Sequence, residues 1–128
     1  MKSSSRLLFA VLFTSIALVL IAAPSRGQDP VKTNPGKYKV VFENERVRLL
    51  EYNDKPGDVS VMHEHPAHLI YSLGPWKRQF IFPDGRTVRA EGKVGDSFWA
   101  DAQKHAGENV GATDTHILIF ELKELPKK

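Results

Sequence analysis

The stretch GDVSVMHEH, residues 57–65, decides both the fold and the candidate site. It opens with two turn-forming residues and continues with β-branched and alternating residues, which predicts a turn followed by a strand. Because side chains alternate between the two faces of a strand, His63 and His65 are expected to share a face, with Glu64 on the other. The same alternation places Val59 and Val61 beside the histidines. We therefore expect two imidazoles at one end of an apolar interior, where they could bind a single metal ion.

The chain on either side of this stretch has the same character, with short apolar or alternating runs separated by turn residues. The predicted strands cover residues 38–42, 47–52, 59–65, 69–73, 78–82, 87–91, 97–99, 105–110 and 116–122. Pro83-Asp84-Gly85 predicts a hairpin turn between two of them. No window after the first 27 residues has the periodicity of an amphipathic helix. These features indicate an all-β protein, a sandwich or a barrel.

The beginning of the 128-residue chain is typical of a secretory signal peptide, predicted to be residues 1–27. Lys2 and Arg6 precede the uncharged apolar run 7–23, and small residues, Ser25 and Gly27, follow it. A retained membrane anchor is the alternative, although a run this short falls below the roughly 20 residues that span a bilayer. We expect an exported protein, periplasmic or secreted, with no stable membrane insertion once the signal is removed.

The remaining chain has room for one domain with one core. Residues 28–36 are polar and contain two prolines, which predicts a flexible linker, and residues 37–124 are predicted to form the barrel domain. The sequence has no cysteine, so disulfides, thiolate ligands and a cysteine nucleophile are excluded. The net charge of +3 is carried by Lys2, Arg6 and Arg26, all within the predicted signal, so a nucleic-acid partner is not expected.

Two further histidines open later predicted strands or lie next to them. His68 comes directly after the strand that carries His63 and His65, and His105 begins a strand in the last third of the chain. If the strands close into a barrel, all four could meet, and we predict that these four are metal ligands. Spacing alone leaves open the alternative that each is a structural or surface histidine. His116 is expected to be structural or exposed.

Two segments resemble the two motifs of the cupin superfamily. Residues 57–65 match the first half of the first motif, a glycine, five residues and His-x-His, and residues 68–71 resemble the element that follows it in germin-type cupins, with histidine in place of a glutamate ligand. Residues 95–109 resemble the second motif, with Asp101 and Gln103 replacing its proline and glycine. The resemblance spans residues 38–122.

This resemblance implies a single-domain cupin-type jelly-roll β-barrel that binds a metal inside one end and forms a homodimer. The ligands it implies are His63, His65 and His105, with His68 as the fourth. An all-imidazole set leaves the full charge on a divalent ion, which favours an anionic substrate or a bound hydroxide. Imidazole ligands also favour Zn, Cu, Ni or Fe over Mg²⁺ and Ca²⁺, and Mn is kept as a further candidate.

Three functions are compatible with these features. The first is an exported metal-binding cupin that acts on a small organic molecule, for example as a metal-dependent oxygenase, with no general base identifiable from the sequence. The alternative is a non-catalytic protein that binds or senses a metal or small ligand in the same pocket. The third is a structural β-sandwich whose histidines bind no metal.

Several other residues carry weaker expectations. Six aromatic residues are expected to be core residues rather than pocket walls: Tyr71, Trp76, Phe80, Phe82, Phe98 and Trp99. Arg78 and Arg89 could meet an anionic ligand but are expected on the surface. Asp101 and Gln103 could support the histidine that follows them.

Overall fold

The computed structural model describes residues 28–124, which form nine strands and one short helix. All nine predicted strands are confirmed, with ends displaced by at most two residues, and the all-β fold class is confirmed with them. The elements are α1 (Pro30–Thr33), β1 (Tyr38–Glu43), β2 (Val47–Asp54), β3 (Val59–His65), β4 (His68–Ser72), β5 (Trp76–Ile81), β6 (Thr87–Gly92), β7 (Ser97–Ala100), β8 (Gln103–Asn109) and β9 (Thr115–Leu122).

The strands form two antiparallel sheets that face each other. One sheet has the order β1-β2-β9-β4-β7 and the other the order β3-β8-β5-β6. From β2 onward the chain crosses to the other sheet at each connection except the β5–β6 hairpin, as in a jelly roll. That hairpin turns at the predicted Pro83-Asp84-Gly85, where Gly85 has a φ of 81° that favours glycine.

The space between the sheets has a small apolar core and an unusual share of polar groups. The buried apolar residues are Tyr38, Leu50, Tyr52, Trp76, Ile117 and Ile119. Along β9 the inward positions after Thr115 are Ile117, Ile119 and finally Glu121, which is 1% exposed. Buried polar groups are costly unless they are paired, so the fold has to supply partners for them across the two sheets.

A β-bulge in β3 changes which side chains of residues 57–65 face inward. The register with β8 shifts between Ser60 and His63, so two residues of β3 lie opposite one of β8. Ser60, His63 and His65 are buried as a result, whereas Val59 and Val61 are each 55% exposed. The prediction that these two valines share the histidine face is therefore wrong, because simple alternation does not continue through a bulge.

The segment 28–36, predicted to be a flexible linker, is packed on the free edge of β3, so that prediction is wrong. Asp29 caps α1 through the backbone N–H of Val31, and the carbonyl of Gln28 accepts a bond from the N–H of Glu64. Asn34 is 5% exposed, and its Oδ1 accepts the N–H of Val61 at 2.7 Å. The segment therefore covers an edge strand that would otherwise offer unpaired backbone groups.

The predicted signal peptide lies outside the described residues. Between residues 28 and 124, no helix has the length and apolar character needed to cross a membrane.

The contact of Asn34 with the bulge can be tested by Asn34→Ala. The change leaves the part-buried N–H of Val61 without its partner, so we expect the free energy of unfolding to fall by about 1 kcal/mol. Urea denaturation measures this, and Lys32→Ala, an exposed change on the same helix, is the control. Equal stability of the two variants would show that Asn34 does not support the bulge.

Candidate metal centre

Three histidines from two adjacent strands form a cluster between the sheets. His63 and His65 lie on β3, and His105 lies on β8 directly opposite His63 in the register. One ring nitrogen from each of these residues lies within 4.8 Å of the other two. None of the three is more than 6% exposed. The bulge in β3 and the β3–β8 pairing therefore bring together three of the four predicted ligands.

The outer nitrogens of the first two rings are fixed by hydrogen bonds. Nδ1 of His63 lies 2.7 Å from the carbonyl oxygen of Val61, and Nδ1 of His65 lies 2.6 Å from Oε1 of Glu121. Since each Nδ1 faces an acceptor, it is assigned the proton, which leaves Nε2 with a lone pair. Histidines that bind metals are generally oriented in this way by a carbonyl or carboxylate.

Glu121 belongs to a chain of charged groups that runs to the N-terminal segment. Its second oxygen accepts a bond from Nε of Arg48 at 2.6 Å, and Nη1 of Arg48 donates to Asp29 at 2.5 Å. Burial alone would raise the pKa of Glu121, but the hydrogen bonds from His65 and Arg48 outweigh it and lower that pKa. The carboxylate therefore stays ionised as the acceptor for His65.

Burial keeps two of the three imidazoles neutral. It is the main cause that lowers the pKa of His63 to about 4 and that of His105 to about 2, and the neighbouring His65 lowers both further. At neutral pH these rings consequently retain the lone pair that a metal ion requires.

His105 shows most directly that this cluster fits a metal ion. Its Nδ1 is the one buried side-chain nitrogen or oxygen within residues 28–124 that lacks a hydrogen-bond partner. The ring packs edge-on against Phe80, with 5.1 Å between centroids. A buried polar atom without a partner is costly, and the cost is offset if this nitrogen itself binds an ion. Neutral imidazole donors, oriented outer nitrogens and an unpartnered ring together fit a transition metal.

His68 lies beside the cluster but is not one of the three converging residues. It is 1% exposed on β4, with its ring centroid 5.0 Å from that of His65. Its Nδ1 faces the carbonyl oxygen of Pro66 at 2.7 Å, and burial lowers its pKa. The predicted fourth ligand is thus adjacent to the centre, with a free Nε2.

Tyr38 is a member of the site that the sequence did not single out. Its hydroxyl lies 2.9 Å from Nε2 of His63, the nitrogen left free by the bond to Val61. Burial is the main cause that raises the pKa of Tyr38 well above its ordinary value, so it remains a neutral O–H donor. This hydroxyl therefore donates to the lone pair of His63 Nε2.

A cavity of about 320 Å³ opens beside the histidines and is lined largely by aromatic and aliphatic side chains. Five of the six aromatic residues expected in the core line this cavity. Trp76 is also part of the buried core, as expected, so the expectation is wrong for Phe80, Phe82, Phe98 and Trp99. The sixth, Tyr71, is 40% exposed. The volume is at the lower end of that of small-molecule sites.

The structure places the other residues considered in the sequence analysis either in the cavity wall or on the surface. Arg78 was expected on the surface but is 4% exposed and lines the cavity, whereas Arg89 is exposed. Gln103 lines the cavity, while Asp101 is exposed and accepts a bond from Trp99. His116 is half-exposed and bonds to Glu51 at 2.8 Å, remote from the cluster.

Glu121 and Asp54 are the buried carboxylates that sequence reasoning missed. Both lie at inward positions at the end of an alternating strand, Asp54 after Leu50 and Tyr52, and Glu121 after Ile117 and Ile119. A charged residue on the apolar face of a predicted strand was therefore the available signal.

Several solved structures share this architecture. A cupin domain from Bordetella pertussis Tohama I superposes with a TM-score of 0.62 at 22% identity, covering 68% of this chain and 92% of that one. A cupin superfamily protein from Desulfitobacterium hafniense DCB-2 gives a TM-score of 0.52 at 17% identity, covering 68% and 76%. The polyketide cyclase RemF from Streptomyces resistomycificus gives 0.51 at 22%, covering 70% and 66%.

These similarities show that the chain has the cupin fold, as the two sequence motifs predicted. No protein-family model matches the sequence, and no curated protein matches it.

The neutral state of the buried imidazoles predicts acid sensitivity of the metal-free protein. The pKa values of His63 and His105 are lower in the folded chain than the ordinary 6.5, so only the unfolded chain gains protons as the pH falls below 6.5. We expect the free energy of unfolding to fall by about 1.4 kcal/mol per pH unit for each ring between pH 6.5 and 5. Urea denaturation after chelating-resin treatment measures this.

The matched control is His105→Leu, which removes one of the rings whose pKa is lowered by burial. Its stability should fall with pH less steeply than that of the parent, by about 1.4 kcal/mol less per pH unit. A parent whose stability is flat between pH 7 and 5 would contradict the neutral assignment.

Proposed function

We propose that this protein binds a divalent transition metal through His63, His65 and His105 and binds a small organic molecule in the adjacent cavity. The observation that carries the proposal is the convergence of three buried imidazoles, one nitrogen of each lying within 4.8 Å of the others. Hydrogen bonds fix the outer nitrogens of two of them, His63 and His65. The candidate metals are Fe, Mn, Ni, Cu and Zn. Nitrogen donors suit Fe, Ni, Cu and Zn better than they suit Mg²⁺ or Ca²⁺, and Mn is kept as a further candidate.

The chain's own groups around the centre have distinct tasks. Glu121 orients His65, and the carbonyl of Val61 orients His63. Tyr38 is a neutral donor whose hydroxyl would be released from His63 Nε2 when that nitrogen binds an ion, and it could then donate to a molecule beside it. A bound divalent ion would supply Lewis acidity, polarising an oxygen of the molecule it holds.

A catalytic role is favoured over storage by the space that remains beside the ligands. Catalytic metal sites typically have three protein ligands and an open position, whereas structural sites are closed by four. Here three nitrogens converge and the cavity borders two of these histidines, His65 and His105. One protein of the same fold is a polyketide cyclase, so the fold is compatible with chemistry on small organic molecules. The alternative, a non-catalytic binding or sensing protein, requires His68 to close the site.

The proposal includes export and self-association. Export to the periplasm or the exterior is supported by the charged, apolar and small-residue order of residues 1–27. A homodimer is proposed from the cupin resemblance.

Elemental analysis of the mature protein, produced with export and without a His tag, tests the metal proposal. We expect near-stoichiometric transition metal in the parent, and at least a tenfold lower content in the variant His63→Ala, His65→Ala, His105→Ala, because no other cluster of this kind occurs within residues 28–124. A folded parent that is empty and takes up none of the five metals would refute the proposal.

Two single variants serve as controls for the site and its openness. His116→Ala, remote from the cluster, should retain the parent's metal content. His68→Ala should also retain most of its metal if three ligands hold the ion and the fourth position is open. Loss of metal in His68→Ala, equal to the loss in the triple variant, would favour a closed four-histidine site and the binding function.

A further inference from the structure

The guanidinium of Arg78 is the principal charged group in the cavity that the metal centre does not use. Its residue is 4% exposed, and its side chain lines the same cavity as His65 and His105. Nη1 donates to Oδ2 of Asp54 and, at 3.2 Å, to Oγ1 of Thr115. Within residues 28–124, Nε and Nη2 have no hydrogen-bond partner. Three N–H donors of a buried guanidinium are therefore available to a ligand.

The position of these donors is set by Gly107 on β8. A Cβ atom at Gly107 would lie 3.0 Å from Nη2 and 3.6 Å from Nε of Arg78, so the guanidinium lies against the glycine backbone. The same Cβ would lie 3.3 Å from the hydroxyl oxygen of Ser60, which is buried. The absence of a side chain at Gly107 thus leaves the free edge of the guanidinium open beside a second polar group.

The distance from these donors to the metal centre suits one small molecule. Gly107 is the next inward position after His105 on the same strand, and such positions are about 6.5 Å apart. Between and around them the walls are apolar, and include Phe80, Ile117 and Ile119. A ligand of matching shape has a polar group at each end of a short apolar body.

The charges near the cavity favour an anion. The two buried carboxylates are already paired, Asp54 with Arg78 and Glu121 with Arg48. A guanidinium edge with two parallel donors matches a carboxylate, which accepts both bonds at once.

We propose that the cavity binds a small organic acid, whose carboxylate is held by Nε and Nη2 of Arg78 next to Ser60 while its opposite end faces the histidine cluster. This inference depends on the proposed function at one point, namely that the cavity is the substrate site. It assigns the substrate class and the residue that selects it.

Isothermal titration calorimetry with matched acid and amide probes tests the proposal. The probes are benzoate, isovalerate and pyruvate, each paired with its amide, which keeps the shape and removes the charge. We expect at least one acid to bind the purified parent tenfold or more tightly than its amide. Equal binding of every pair, or binding of no acid, would overturn the inference.

Two variants locate the binding. Arg78→Lys keeps the positive charge beside Asp54 but loses the forked donors, and Gly107→Ala places a methyl group against the guanidinium. Each should reduce the preference for the acid to less than threefold. Arg89→Lys, an exposed arginine on the neighbouring strand β6, should leave it unchanged. A full preference retained in both cavity variants would overturn the assignment.

Metal content and thermal melting, measured on the same samples, separate this inference from the proposed function. Unchanged metal content in Arg78→Lys with a lost acid preference supports the inference. A parent that lacks metal yet prefers the acid would overturn the metal proposal and support the Arg78 site.

Discussion

The site depends on the β-bulge between Ser60 and His63. Without it, regular alternation from the buried Ser60 would turn Met62 and Glu64 inward and both histidines outward. The bulge is supported from outside the sheet by Asn34, which bonds to the N–H of Val61, and from inside by His63, whose Nδ1 bonds to the carbonyl of the same residue. One local irregularity thus sets the inward face of the strand and orients one of the candidate ligands.

Polar pairs between the two sheets hold the sheets together, as an apolar core does in most domains. Arg78 on β5 reaches Asp54 on β2, and Glu121 on β9 reaches His65 on β3. Such buried pairs contribute little net stability, but loss of one partner is expensive, which fixes the sheets in one arrangement. Because these pairs hold the sheets together, the interior contains an open cavity beside the histidines where a larger apolar core would otherwise pack. The N-terminal segment takes part as well, because Asp29 binds the Arg48 that holds Glu121.

The sequence was sufficient for the strands and for the three converging histidines, because both follow from patterns of short range. Alternation and turn residues located every strand, and the cupin motifs marked His63, His65 and His105. The sequence was insufficient where the environment of a residue depends on partners that are distant in the chain. Simple alternation misplaced Val59 and Val61 because a bulge has no clear signature in single residues. The polar segment 28–36 seemed unattached because its partners lie on β3. Arg78 was predicted to be exposed because its carboxylate partner, Asp54, lies three strands earlier in the chain.

The central claim is that three inward-facing histidines, placed by the bulge and by the β3–β8 pairing, form a metal centre. X-ray absorption spectroscopy at the edge of the metal found in the purified protein tests it most directly. The account predicts an inner shell with the multiple-scattering signature of three imidazoles, reduced to two in His105→Leu. A shell of oxygen donors alone, or an imidazole signature unchanged in that variant, would contradict it.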